Sequence, residues 1–312
     1  GFTTVRNLGL FIQTGGLLLD VALKKAIDRG YVEGPRIVPA GHAISPTGGH
    51  LDPTMFQALA PHVLPLTVEE GIANGAAEIR KAVRYQIKYG AELIKVCASG
   101  GIMSHTGPAG AQQYSDEELR TVVDEAHRAG LRVAAHAHGD AGIRAALEAG
   151  IDCIEHGSLM SDETIDRMVE LGRFLVPTTY LADGMDVSHA PPELQAKAAE
   201  VFPVAKQTIS KAIARGVKIA CGTDAPAIPH SRNAKELLAL VDRGMTPLQA
   251  IRAATTVAAE LIDRDDRGRI EEGLLADIIG VPGDPLADIA VTEDVRFVMK
   301  GGAVYRHPAD ED

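Results

Sequence analysis

An alternation between two hydrophobic periods runs through most of the chain, and it limits the fold more than any single motif does. Short apolar or β-branched runs recur as TTVRNL, RIVPAG, ELIKVCA, RVAAHAH, DCIEHG, FLVPTTY and VKIACGT. Most lead through a polar or glycine-rich turn into a segment with helical spacing. SDEELRTVVDEAHRAG, GDAGIRAALEAG, SDETIDRMVELG and NAKELLALVDRG are the clear cases. Two of them open on Ser-Asp-Glu, an N-cap hydroxyl followed by first-turn acid, and all four close on glycine. Strands alternating in this way with helices lie parallel in a sheet whose faces the helices cover.

Seven strand units are present, one fewer than a closed (β/α)8 barrel requires. The competing open, doubly wound sheet lacks its usual marks: no GxGxxG opens the first helix and no GxxxxGK[ST] occurs anywhere. The expected fold is therefore α/β, a (β/α)8 TIM barrel lacking its first strand in this chain and occupying residues 1–265. The last barrel helix is read in TPLQAIRAATTVAAELI. Beyond it, GRIEEGLLADIIGVPGDPLADIAVTEDVRFVMKGGAVYR has short strands and glycine or proline turns with no helical period. Residues 266–312 are expected to be the C-terminal part of a small β-sandwich domain. Residues 183–206 depart from the tight alternation and are a candidate lid over the barrel mouth.

The 312 residues, 46% of them hydrophobic, suffice for one large core. A net charge of −11 with no basic stripe argues against nucleic acid or an anionic membrane surface as a partner. No apolar run is long enough to span a bilayer, so a soluble chain is expected, with the cytoplasm the default compartment. Cys97, Cys153 and Cys221 lie in short apolar runs without CxxC spacing and read as small buried hydrophobes.

Barrels of this kind build their sites at the C-terminal ends of the strands. Lys95 ends ELIK, His136 and His138 end RVAAHAH, His156 ends DCIEH, and Asp224 ends KIACGTD. Each alone has a plain structural explanation. A histidine can be a satisfied core residue, a lysine can snorkel to the rim, and an aspartate can cap a turn. Together they form a convergent N/O set of the kind that zinc, iron or manganese accepts. Lys95 is the unusual member, because an ammonium cannot ligate a cation. Desolvated beside a metal it would be neutral and able to add carbon dioxide, giving an anionic carbamate that could bridge two ions. Such a pair would generate hydroxide at neutral pH, and Asp224 could relay its proton to a leaving amine.

GFTTVRNLG, RIVPAGHAISPTGGH, AELIKVCASGGIMS, AAHAHG, IEHG, GTDAPAIPH and GLLADIIGVPGDPL, in this order and spacing, resemble the metal-dependent amidohydrolase superfamily. The likeness is to its prolidase-like, imidazolonepropionase-related branch, which includes dipeptidases, carboxypeptidases and ochratoxin-hydrolysing amidases. The resemblance implies that Lys95 is the carboxylated lysine bridging two zinc ions and that His136 and His156 bind the second metal. It implies that Asp224 binds the first and acts as acid/base. His138 is expected to point away from His136, in a supporting role. His50, His105, Tyr180 and His230 resemble residues that contact substrate or the developing oxyanion. The family supplies two more ligands from an HxH motif upstream of GFTTV. None precedes it here, and HAH at 136–138 is on a different strand, so the opening stretch is expected to be missing.

These readings imply hydrolysis of an amide bond in a small molecule with a free carboxylate, such as a dipeptide or N-acyl amino acid, by a bridging hydroxide in a homo-oligomer. Arg232 is a candidate cation for the carboxylate, although an exposed arginine at a helix start is as well explained structurally. Two alternatives remain: a cyclic amidohydrolase of the imidazolonepropionase type, and a catalytically incomplete barrel acting as a scaffold. Serine hydrolysis is set aside, because Ser99 in CASGG lacks the GxSxG elbow.

Overall fold

The computed structural model describes residues 1–9, 17–52, 66–104 and 107–311. Each of the seven apolar runs forms a strand: β1 (Thr4–Asn7), β2 (Arg36–Pro39), β3 (Ile94–Cys97), β4 (Val133–Gly139), β5 (Cys153–Leu159), β6 (Phe174–Val176) and β7 (Lys218–Ile219). All their pairings are parallel. β1 pairs with β2, and β3 to β7 form a five-stranded sheet in chain order. Ile44 joins the two sheets: its N–H donates to the Lys95 carbonyl at 2.8 Å and its carbonyl accepts from Cys97 at 2.9 Å.

The helices are α1 (Leu19–Asp28), α2 (Gly75–Tyr89), α3 (Asp116–Arg128), α4 (Asp140–Ala149), α5 (Asp162–Leu171), α6 (Leu181–Gly184), α7 (Pro192–Ala214), α8 (Lys235–Asp242), α9 (Pro247–Ala254) and α10 (Thr256–Leu261). The Ser-Asp-Glu signals work as caps. Ser115 accepts from Glu118 N–H and Ser161 from Thr164 N–H, while Gly150 and Gly172 close α4 and α5 in the left-handed conformation. One expectation is corrected. Residues 247–261 form two helices rather than one. The Thr255 hydroxyl donates back to the Ile251 carbonyl at 2.7 Å, and the Thr255 backbone leaves the helical region at φ −126°, ψ −91°. Much of the segment 183–206 belongs to the 23-residue α7, which starts with Pro192 in its first turn and runs through Pro203. Ala198 and Val201 of α7 pack with Ile102, placing this helix against the loop that follows β3. No described helix is long and apolar enough to cross a membrane.

The period-two pleat sorts the strand residues into two layers. Ile94, Val96, Val133, Ala135, Ala137, Ile154, Leu175 and Ile219 pack with the helices in one extensive cluster. Ala134, Cys153, Phe174, Val176 and Ala220 face the other way and form an inner cluster with Val38, Ala40, Leu93 and Leu261. Lys95 pairs with Ala134, Cys97 with His136, and His136 with Glu155, so these four polar or ionisable side chains continue the inner face. The loop after β3 approaches β4 where neither chain has a side chain. A Cβ on Gly139 would fall 2.0 Å from the Gly110 carbonyl oxygen, and Gly110 itself has φ +90°. After residue 265 the chain forms an antiparallel sheet of β8 (Ile278–Gly280), β9 (Phe297–Lys300) and β10 (Ala303–Arg306), held to the parallel strands in part by the Arg36–Asp277 ion pair at 2.5 Å.

Arg6 of β1 reaches the inner face and donates to both carboxylate oxygens of Glu155 at 2.8 and 3.0 Å. The side chains are 12% and 2% exposed, so neither charge can exchange its partner for water at low cost. Arg6→Met is expected to destabilise the protein by about 3–5 kcal/mol, because it leaves the Glu155 carboxylate buried and alone. Arg6→Met combined with Glu155→Leu is expected to recover most of that loss, and urea denaturation of both variants measures the difference.

Candidate metal centre and active site

The inner face turns ionisable toward the C-terminal ends of β3, β4 and β5. His136 and His138 are two residues apart on β4 and therefore share a face. Their ring centroids lie 4.8 Å apart, which corrects the expectation that His138 points away. His156 reaches the same place by another route. The pleat pairs it with Ala137, on the helix-facing side, but its backbone adopts φ +69° and Gly157 follows at φ +63°. This left-handed pair breaks the alternation and brings the His156 ring within 4.8 Å of His136 and 4.7 Å of His138. One potential ligand atom from each of the three buried histidines lies within 4.8 Å of the others, a grouping that does not include Asp224. His50 stacks on His136 at 3.8 Å, in space kept open by Gly101, where a Cβ would fall 2.3 Å from the imidazole.

Burial keeps these imidazoles neutral. It lowers His138 to about 4, and it holds His50, His136 and His156 well below their ordinary 6.5. A neutral imidazole has one lone pair to offer, and the structure shows where it points on His156. The Thr178 hydroxyl donates to the Pro177 carbonyl at 2.7 Å, so it accepts from His156 Nδ1–H at 2.7 Å and leaves Nε2 as the acceptor. His138 Nδ1 lies 2.8 Å from the Ser158 hydroxyl, and His50 Nδ1 2.6 Å from the Ser104 hydroxyl. His136 Nε2 is buried with no hydrogen-bond partner among the described residues, an uncommon condition for a polar atom. An orphaned nitrogen beside two neutral imidazoles suits a divalent transition metal, so the donor set fits the metal that this pattern implies.

Lys95 is 4% exposed on the same face, and burial lowers its pKa against the raising field of Glu155. Cys97 beside it is held as a thiol, pushed up to about 12 by burial. Asp224 follows β7 with φ +55° and lies within the electrostatic reach of Lys95. Desolvation by nearby protein raises its carboxyl to about 6, Lys95 opposes the rise and Glu155 adds to it. The residue is exposed, and water moderates the effect. Tyr180 is half-buried at the turn after β6, whereas His230 and Arg232 are exposed on a short 3-10 turn. No bond or ring contact joins those two to the cluster among the described residues. His105 lies outside the described residues.

Some contributors carry little sequence signal. Arg6 and Glu155 could have been found by counting in twos from Cys153 and Thr4 and asking which charge meets which. Thr178 and Glu236 could not. Glu236 reads as ordinary first-turn acid of α8, yet it is fully buried and accepts from the backbone N–H groups of Thr179 and Tyr180, both at 2.8 Å. It thereby fixes the turn that carries the partner of His156.

The amidohydrolase family model matches residues 1–305. The chain belongs to the amidohydrolase family. It is 37% identical to ochratoxinase from Aspergillus niger over 329 aligned positions, covering 99% of this chain and 66% of that protein. This amidohydrolase chain thus spans just under two thirds of the length of that curated relative. Among solved structures it is similar to a Xaa-Pro dipeptidase with methionine bound in its active site, at 40% identity and a TM-score of 0.92, covering 98% of this chain and 75% of the other. It is also similar to a prolidase complexed with N-methylphosphonate-L-proline, at 36% identity and a TM-score of 0.88, covering 98% and 76%.

Two outcomes are expected from the amidohydrolase centre. Thr178→Val should weaken binding of a divalent metal about 10–100-fold, measured against a chromophoric chelator, while Thr178→Ser keeps the hydroxyl and most of the affinity. Burial raises Glu236 from an ordinary 4.5 to about 8. Its folded pKa exceeds its unfolded one, so its contribution is complete below about 4.5 and is lost as pH rises through 8. Thermal melts of the native protein should fall more steeply between pH 5 and 8 than those of Glu236→Gln, which has no proton to lose.

Proposed function

We propose that this chain carries the active centre of a metal-dependent hydrolase that cleaves the amide bond of dipeptides or N-acyl amino acids. The observation that carries the reading is the set of three neutral histidines at the ends of two parallel strands, with His136 Nε2 lacking a hydrogen-bond partner among the described residues and His156 Nε2 held as an acceptor by Thr178. The parallel, chain-ordered strands support a further step, that they are seven staves of a (β/α)8 barrel spanning residues 1–265, with a separate β-unit in 266–312. Ochratoxinase, the Xaa-Pro dipeptidase and the prolidase support the reaction class, since their names denote amide-bond cleavage.

Divalent metal, with zinc the expected ion, would be held by His136 and His156, joined by His138 or by a carbamate on Lys95, with Asp224 at the rim. Bound there, it would polarise the scissile carbonyl and lower the pKa of water. The remaining work falls to the chain. Burial lowers the pKa of Lys95, and in its neutral form it can attack carbon dioxide through Nζ and lose a proton, becoming a carbamate with two oxygen donors. The exposed Asp224 carboxylate can take a proton from the attacking water and return it to the departing amine. His50 and Tyr180 flank the space for the substrate, and the apolar contacts of α7 with the loop after β3 limit its access to water.

Zinc-loaded protein, assayed against a panel of dipeptides and N-acyl amino acids, is expected to release free amino acid. A chelator should abolish the activity and zinc should restore it. Lys95→Ala should reduce it at least about 100-fold, consistent with the loss of a bridging ligand. Hydrolysis of no member of the panel by metal-loaded protein would overturn the reading.

A further inference from the structure

The proposed substrates carry a carboxylate, and a carboxylate brought beside Asp224 needs a fixed cation. Arg232 is exposed on its 3-10 turn, and Arg6 is already committed to Glu155. A different cation reaches the histidines from the helix that covers them. Lys197 of α7 is half-buried, and its ammonium donates to the Ser104 carbonyl at 2.6 Å. The hydroxyl of that same Ser104 lies 2.6 Å from His50 Nδ1, and the His50 ring stacks on His136 at 3.8 Å. The ammonium is close enough to His50 to disfavour a positive charge on that ring.

Packing fixes the position of this ammonium. The next residue along, Ala198, is 2% exposed, and Val201, one turn on from Lys197, is 1% exposed. Both pack against Ile102, two residues before Ser104, so the helix is fixed against the loop that carries the Ser104 carbonyl. Among the described residues Lys197 pairs with no carboxylate. An ammonium has three N–H groups, and the Ser104 carbonyl engages one. The other two N–H groups of this half-buried cation remain available to a carboxylate.

We propose that Lys197 is the receptor for the substrate's free carboxylate and sets the preference for acids over their amides. The inference rests on the amide-hydrolase reading for its substrate class, but the binding it describes does not depend on turnover. Lys197 acts by direct contact with the carboxylate at the mouth, while the scissile carbonyl lies deeper, over His136 and His156.

The test compares an N-acyl amino acid, benzoyl-glycine, with its uncharged carboxamide. Equilibrium binding is measured by calorimetry and hydrolysis is measured in zinc-loaded protein. Native protein is expected to bind the acid at least about tenfold more tightly than the amide, as one charge-assisted contact allows. Lys197→Met should abolish that difference by weakening only the acid. Lys197→Arg should retain much of it and serves as the control for folding, with melting temperatures read alongside. Equal binding of acid and amide by native protein, no binding of either, or an undiminished preference in Lys197→Met would overturn the proposal. Discrimination through Lys197 without hydrolysis of any compound would uphold the carboxylate receptor and refute the hydrolase reading.

Discussion

The charge pair between Arg6 and Glu155 sits on the inner face of the parallel strands, where apolar and ionisable side chains meet. Glu155 is level with His136 and Val176, and in the preceding inner layer Lys95 is level with Ala134 and Cys153. A buried carboxylate and guanidinium are stable together only when each completes the other's hydrogen bonds. The pair also ties β1 to β5, so satisfying two charges joins the first strand of the chain to the strand that supplies His156.

Around the histidines the same problem of unsatisfied polarity is solved differently at each residue. His156 has its tautomer set by Thr178, which is carried on a turn held by Glu236. His138 and His50 each have a serine at Nδ1. His136 Nε2 is buried with no hydrogen-bond partner among the described residues. The supporting hydroxyls come from the end of β5, the turn after β6 and the loop after β3, and the anchoring carboxylate from α8. The centre therefore depends on four separate segments for the orientation of four rings. A site built in this way holds ligands ready at the cost of exact backbone placement, which explains the left-handed residues at 156, 178 and 224.

The alternating periods made all seven parallel strands legible, because β2 to β6 are almost wholly buried on both faces and each strand reads as a compact apolar or β-branched run. The helices with serine caps and glycine stops were equally plain, since those signals act within four residues. What escaped was of longer range or subtler. The break at Thr255 comes from a hydroxyl competing for a backbone carbonyl, and threonine does this only in some helices. The length of α7 was hidden by prolines that are tolerated in its first turn and at one interior position. Among the site residues, Lys95, His136 and His156 could be singled out because they end strands. The direction of His138 follows from simple alternation, whereas the arrival of His156 on the same face depends on a backbone conformation that residue type does not announce. Lys197 and Glu236 look like surface charges of helices, and only the tertiary fold shows what each one reaches.

The three clustered histidines have a common origin in the topology. His136 and His138 belong to β4 and His156 to β5, and these strands are joined through α4 and paired directly. The whole nitrogen cluster therefore arises within one β–α–β unit, between residues 133 and 159. Its geometry is local in sequence even though its depth in the protein is not. Contacts between neighbouring strands of this kind have a small loop-closure cost, so the cluster can assemble as soon as that unit does. The edges of the sheet can then vary in length, sequence or partner while the spacing of the three nitrogens stays the same.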